Sequence, residues 1–269
     1  MHVSPVGMVP TMGALHEGHI SLVDKAINDC PVVVVSIYVN PTQFNDKKDL
    51  MNYPRTTDAD LSLLKNYLRK DDIVFTPSDK EIYPEPDTRI FSFGNLDNVM
   101  EAVHRPGHFN GVAQVVSKLF GIVSPDLAYF GKKDFQQVAV IKSLVRQLRL
   151  QVRIIECPIV REPDGLAMSS RNRLLDKNIR KHAPVIFSAI SAASGMLPQS
   201  DIVEIRKYVR KTIEREKDFK VEYFEIVDDT DLVPVSHKGE MRPGKRYFGC
   251  IAVRAGKVRL IDNIEMPLA

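Results

Sequence analysis

The spacing of apolar residues changes period repeatedly along the first half of the chain, and each change marks an element. Val6 to Val9 is a short apolar run that predicts a strand, broken at Thr11-Met12-Gly13. From about residue 17 to 28 the apolar residues Ile20, Leu22, Val23, Ala26 and Ile27 predict a helix, which Pro31 stops. Val32 to Val39 is β-branched and almost wholly apolar, the composition of a strand buried on both faces of a parallel sheet, and Asn40-Pro41 ends it. A helix follows over about 58–70, with Leu61, Leu64 and Leu68 at helical spacing, then a strand at 73–75 stopped by Pro77. Residues 112–122 predict a helix and 127–130 a strand ending at Gly131. Residues 135–148 predict a helix with Val138, Ile141, Leu144, Val145 and Leu148 on one face, and 152–159 a further strand. Strands alternating with helices imply right-handed crossovers and an α/β, doubly wound parallel sheet. In such sheets ligands bind outside the carboxyl ends of the strands.

The pattern changes after Arg161. Residues 175–196 and 202–217 read as helices, and 221–227, 247–253 and 257–261 as strands, the last two joined by Ala255-Gly256. Helices followed by an antiparallel-looking set predict a smaller α+β domain. The boundary falls near residues 160–170, giving domains at 1–161 and 162–269. There is no internal repeat and no low-complexity tract.

Composition narrows the classes of function. A length of 269 residues suits two domains or one large one. With 37 Lys and Arg against 34 Asp and Glu the net charge is +3, too balanced to steer a nucleic-acid backbone. Hydrophobic residues at 44% and charged residues at 26% exclude a mainly disordered chain. Apolar runs such as Val32–Val35 fall far short of the ~20 residues of a spanning helix. Met1 to Pro5 holds no basic segment leading into an apolar one, so no secretory signal is expected. Cys30, Cys157 and Cys250 are odd in number, far apart and without CxxC spacing. They predict reduced, mostly buried thiols of a cytoplasmic protein rather than disulfides or a zinc site.

The candidate chemistry lies at Pro10-Thr11-Met12-Gly13-Ala14-Leu15-His16-Glu17-Gly18-His19, just after a predicted strand and at the opening of a helix. Histidines spaced i, i+3 fall on one face of the first turn. The unpaired N–H groups of that turn and the positive end of the helix dipole make an anion site. Gly13 and Gly18 let a ligand approach the backbone. On these residues alone the segment reads equally as a phosphate site and as a polar helix start without function. A metal site there lacks a third nearby ligand.

The His16-Glu17-Gly18-His19 turn resembles the HIGH motif of the nucleotidylyl-transferase superfamily, which includes class I aminoacyl-tRNA synthetases. Such proteins carry a second, downstream loop directed at the same phosphates, and Met168-Ser169-Ser170-Arg171-Asn172 looks like that KMSKS-type element. Serine hydroxyls and a guanidinium suit triphosphate oxygens. Further segments narrow the family: Val39–Phe44, Tyr53–Thr56, His104–Val112, Phe130–Gln137, Asp164–Asn172 and Arg259–Asn263. Together, from about Met8 to Asn263, they resemble the pantoate–β-alanine ligase family.

That resemblance implies a Rossmann-like domain binding ATP and pantoate and a smaller C-terminal lid domain. It implies a carboxylate–amine ligase of pantothenate and coenzyme A biosynthesis, working through pantoyl adenylate with release of pyrophosphate and AMP. The implied catalytic residues are His16, His19 and Lys133, with His19 in the family's proton-donor position. ATP would contact Met12, Gly13, Ala14, Leu15, Glu17 and Gly18 beside the histidines, and Gly131, Lys132 and Asp134 beside Lys133. Val160 would flank the adenine, and Met168, Ser169, Ser170 and Arg171 would close over the triphosphate. Asn40, Gln43 and Gln137 would hold pantoate and β-alanine. Mg²⁺ would accompany ATP, with no protein ligand named, and a cytoplasmic homodimer without nucleic-acid or membrane partners is expected. His108 lines the site or is structural, Tyr53 and Arg55 serve dimer packing, and His2, His182 and His237 are solvated.

One departure accompanies the resemblance. Family members begin with a helix of some twenty residues, whereas this chain starts almost at the first strand, which leaves sheet surface to be covered otherwise. Two other readings compete. A different adenylyl- or cytidylyltransferase is disfavoured by Asn40–Phe44 and Phe135–Gln137, and an inactive nucleotide- or RNA-binding module by the near-neutral charge and intact His16, His19, Lys133 and Arg171.

Overall fold

In the first part of the chain the five predicted strands form, as β1 (Val6–Thr11), β2 (Val32–Ile37), β3 (Ile73–Phe75), β4 (Leu127–Gly131) and β5 (Arg153–Cys157). They make one parallel sheet in the order β3-β2-β1-β4-β5. The doubly wound sheet expected from the alternating pattern is therefore present. Strand order reverses between β1 and β4, the switch point at which such sheets open a crevice beyond their carboxyl ends. In β2, Val33, Val34, Val35, Ser36 and Ile37 are all buried, which is why that stretch carries no polar face. The strand ends at Ile37, two residues before the apolar run does.

Around the sheet lie α1 (Glu17–Asp29), α2 (Lys47–Asn52), α3 (Thr57–Leu64), α4 (Asp79–Ile82), α5 (Met100–His104), α6 (His108–Val123) and α7 (Phe135–Gln147). Ile20, Leu22, Val23 and Ala26 form the buried stripe of α1. The helix expected over 58–70 stops at Leu64, where the backbone tightens to Asn66 N–Leu63 O and Tyr67 N–Leu64 O bonds. Arg69 beyond it is held by the Asp72 carboxylate and by the carbonyl of Cys30.

The computed structural model describes residues 5–268, so the expectation for His2 lies outside the described residues. The chain forms two compact units. One takes in the chain up to Asp97 with Ala102–Lys132 and Gln137–Val160; the other holds Asn98–Glu101, Lys133–Gln136 and the chain from Arg161 onward.

The second unit is built from α8 (Lys177–His182), α9 (Val185–Met196), α10 (Ile202–Ile213), β6 (Phe219–Asp228), β7 (Tyr247–Ala255) and β8 (Val258–Glu265). The three strands are antiparallel in the order β6-β7-β8, with Gly256 at φ +59° turning β7 into β8. The single helix expected over 175–196 is two, because Pro184 has no N–H to continue α8 and starts α9 instead. Ile186, Ile190, Ile202, Ile205 and Val209 pack into one core with Val221, Ile226, Ile251 and Val253. Full burial of each such side chain contributes about 1.5–3 kcal/mol.

Two short segments join this unit for a polar reason. Glu101 receives a bidentate pair of bonds from Arg259 at 2.7 Å each and the Tyr223 hydroxyl at 2.8 Å, and Arg259 also donates to Glu222 at 2.6 Å. The Gln136 amide then accepts from Glu101 N and donates to Val99 O, both at 2.9 Å.

Candidate active site

In the first unit, β1 delivers the chain to a loop that only its sequence permits. Gly13 sits at φ +76°, and a Cβ there would be 3.0 Å from the Asp60 carboxylate and 3.1 Å from Ile37. Ala14 follows, also at positive φ. Two successive residues of this kind turn their amides inward, and the Asp60 carboxylate collects the N–H groups of Ala14 at 2.9 Å and Leu15 at 2.8 Å. Thr56 donates to the same carboxylate, which is 2% exposed. Reading the sequence alone missed Asp60. Its only local signal is an acid in the first turn of α3, which is common at helix starts.

His16 is the N-cap of α1, with extended backbone. Its Nδ1 accepts from Gly18 N at 3.1 Å, and the Nδ1 of His19 accepts from His16 N at 3.3 Å. This is a capping box made of two imidazoles in place of Ser and Glu. The rings lie 4.1 Å apart between centroids. An Nδ1 that accepts leaves the proton of the neutral ring on Nε2. The cap thus sets both histidines as Nε2–H donors, and the pair expected on one helical face is brought together.

At the end of β2 a second network orients amides. Asn40 Oδ1 accepts from the Tyr83 hydroxyl at 2.9 Å and Thr42 Oγ1 at 3.1 Å. Its Nδ2 must then face the other way, and it donates to Gln43 Oε1 at 3.2 Å and Gly111 O at 3.0 Å. Gln43 is left presenting Nε2, which lies 2.8 Å from Met12 Sδ. The amide of Gln43 therefore points its donor end away from Asn40 and toward Met12. Asn40, 1% exposed, has both ends of its own amide engaged inside the protein. His108 Nδ1 donates to Gln43 O at 2.8 Å while Nε2 accepts from Arg105 at 3.1 Å, the opposite tautomer to the α1 pair. Gly111 admits this approach, since a Cβ there would be 2.4 Å from Thr42 O. Gln137 is half-buried and makes no side-chain hydrogen bond to another described residue; its neighbour Gln136 is the one consumed by the fold. Gly131, Lys132 and Val160 are half-buried at the ends of β4 and β5.

In the second unit Lys133 keeps 19% of its side chain exposed and lies 3.8 Å from the Asp134 carboxylate. Lys133, Ala167, Ser169 and Asp262 line one small cavity. Ser169 caps the 3-10 turn Ser170–Leu174 by accepting from Arg171 N at 3.2 Å, so its hydroxyl proton remains a donor. The turn before it is held by Arg180, which reaches Asp164 and Glu162 at 2.6 Å each. Burial works to raise the Asp164 carboxyl, and the Arg180 guanidinium outweighs it and holds the group below the usual range. At Asp262 the balance is reversed. Burial pushes its carboxyl above the usual range despite Arg161.

Comparison with known proteins agrees with this chemistry. The sequence profile of the family described as pantoate–beta-alanine ligase matches residues 2–265. The pantothenate synthetases of Porphyromonas gingivalis and Bacteroides thetaiotaomicron are each 51% identical, over 97% of this chain and 91% and 90% of theirs. The crystal structure of the Thermus thermophilus pantothenate synthetase superposes with a TM-score of 0.91 at 41% identity, covering 98% of this chain and 94% of that one. That of the Francisella tularensis ligase, complexed with beta-gamma ATP and β-alanine, gives 0.79 at 37% identity over 98% and 90%.

Proposed function

Because the chain belongs to the pantoate–beta-alanine ligase family, we propose that it makes pantothenate from pantoate and β-alanine with ATP, and that the residues described above divide the work. The pantoate carboxylate attacks the α-phosphorus of ATP; the bond to pyrophosphate breaks and pantoyl adenylate forms. The β-alanine amine then attacks the acyl carbon, loses a proton and expels AMP. A free carboxylate is a poor acyl donor, and adenylation gives it a stable leaving group. Little covalent chemistry is asked of the protein, which must orient the reactants and stabilise charge on phosphate oxygens.

The observation that carries this reading is the two-imidazole cap, because it supplies paired Nε2–H donors at the carboxyl end of β1. His16 and His19 donate to phosphate oxygens as charge builds there, and Lys133 adds a point charge. Ser169, Ser170 and Arg171 serve the triphosphate, Gly131, Lys132 and Asp134 the nucleotide, and Val160 the adenine. The Ala14 and Leu15 amides are engaged by Asp60, so that loop serves ATP through close approach rather than through those donors. Gln43 and Gln137 hold pantoate, Gln43 as a donor to its oxygens, while Asn40 fixes Gln43.

Magnesium enters with the triphosphate. The histidines, Lys133 and Arg171 are donors suited to phosphate, and among the described residues no three His, Cys, Asp or Glu side chains group to cage a metal. When bound, the ion neutralises phosphate charge. No helix among the described residues is long and apolar enough to cross a membrane, and Cys30, Cys157 and Cys250 are free and buried, which supports a reducing, cytoplasmic setting. The homodimer rests on family likeness, and light scattering on the purified chain tests it. For the function itself, AMP formation must depend on both pantoate and β-alanine. AMP release indifferent to β-alanine would refute it.

A further inference from the structure

The segment Arg259-Leu260-Ile261-Asp262-Asn263 has no place in the chemistry above, yet it puts a carboxylate and an amide at fully buried positions of β8. Asp262 and Asn263 are each 4% exposed. Arg161 grips Asp262 with two parallel bonds, Nη1 to Oδ2 at 2.7 Å and Nη2 to Oδ1 at 2.9 Å. The same guanidinium donates from Nη1 to Gly165 O at 3.1 Å and from Nη2 to Asn263 O at 3.3 Å. Its plane rests on the Phe187 ring, 3.7 Å from the centroid. Asn263 Nδ2 in turn donates to the Lys133 carbonyl at 3.1 Å.

Stability does not call for this arrangement, since a buried ion pair gains little over well-packed apolar residues of the same volume. What it provides is position. Gly165 is the turn leading into Met168–Arg171. It sits at φ +93°, and a Cβ there would be 2.6 Å from Phe187, the ring that seats Arg161. One side chain therefore holds the approach to the serine-bearing loop and, through Asn263, the peptide that carries Lys133.

We propose that Arg161, Asp262 and Asn263 are positioning residues for adenylation, fixing Lys133 and Met168–Arg171 in one constant relation. The proposal rests on the reading that these two segments serve ATP. It is tested on the full chain by pantoate-dependent ATP–pyrophosphate exchange, with melting temperature measured alongside. Asn263→Asp keeps the shape and removes the donor to Lys133 O. It lowers kcat for exchange about tenfold, the upper worth of one neutral hydrogen bond, and leaves the pantoate KM unchanged. Arg161→Lys, which keeps the charge and loses the fork, moves kcat the same way. In a Lys133→Ala background Asn263→Asp adds about twofold or less, because the group it positions is gone. Wild-type exchange in a folded Asn263→Asp protein overturns the proposal. So does a loss that tracks only melting temperature, or one that multiplies fully with that of Lys133→Ala. Lys133→Ala at wild-type rate would instead sink the reading of Lys133 itself.

Discussion

The two units secure their candidate groups by different physical means. In the first, imidazoles and amides are held mostly by neutral hydrogen bonds, Arg105 on His108 being the exception, with one buried carboxylate, Asp60, receiving backbone amides. In the second, guanidinium–carboxylate pairs do the holding, Arg161 with Asp262 and Arg259 with Glu101 and Glu222. An amide or a neutral imidazole is ambiguous, since either end can be donor or acceptor, so its network has to settle direction. The cap settles it for His16 and His19, and Tyr83 and Thr42 settle it for Asn40 and hence Gln43. An ion pair has no such ambiguity. Its burial is costly unless both partners are held in good geometry, so once formed it fixes place.

Four measurements would break or sharpen that contrast, beginning with the largest effect. Arg259→Ala leaves the buried Glu101 carboxylate with the Tyr223 hydroxyl but no guanidinium, while Glu222 keeps Arg254, and should cost about 3–5 kcal/mol of stability in chemical denaturation. Asn40→Ala, the neutral counterpart in the first unit, should cost about 1–3 kcal/mol; equal costs would erase the distinction.

Next comes direction. His16→Asn retains a good N-cap yet loses the Nε2 donor. It should keep the melting temperature and lower ATP–pyrophosphate exchange about 10²- to 10³-fold, as loss of a transition-state donor does. Exchange at wild-type rate would reduce the pair to a helix cap.

A third test concerns charge in the first unit away from the site. Arg89 holds the Asp87 carboxyl down at about 2. A carboxyl depressed in the fold adds stability above its unfolded value near 3.8, and that stability is lost as pH falls toward 2. Asp87→Asn should remove about 2 kcal/mol at neutral pH and flatten the acid limb between those values, with activity at pH 7 unchanged. An unaltered acid limb would show the pair to be spectator charge. The smallest effect is expected at Gln43. Gln43→Ala should raise the pantoate KM about tenfold with the ATP KM unmoved, the loss of one oriented donor; a normal KM would remove Gln43 from the substrate.

Much of this was legible before folding was considered. The order of strands in the chain follows from runs such as Val32–Ile37, whose lack of a polar face announces burial on both sides. His16 and His19 stood out by their spacing at a helix start, and the resemblance to a known motif gave them a role. Pro184 was equally visible, and a helix drawn through it ignored a missing donor. What spacing could not reach were partners far apart in sequence. Asp60 clamps a loop 46 residues earlier, and Glu101 meets an arginine 158 residues later. The resemblance had singled out Gln137, but that its neighbour Gln136 is spent on Val99 and Glu101 became visible only in the fold.

Residue types and their local order were enough to reach the family and the alternation of the first sheet, and to single out the groups proposed to meet phosphate. Those properties depend on side-chain chemistry and on contacts within a few residues. Which nitrogen of each histidine carries a proton, which end of the Gln43 amide turns to Met12 and which arginine bonds to the residue that holds the Lys133 carbonyl were decided by tertiary structure. Each depends on the position of a partner that only the folded backbone brings within about 3 Å, the range at which a hydrogen bond acquires direction.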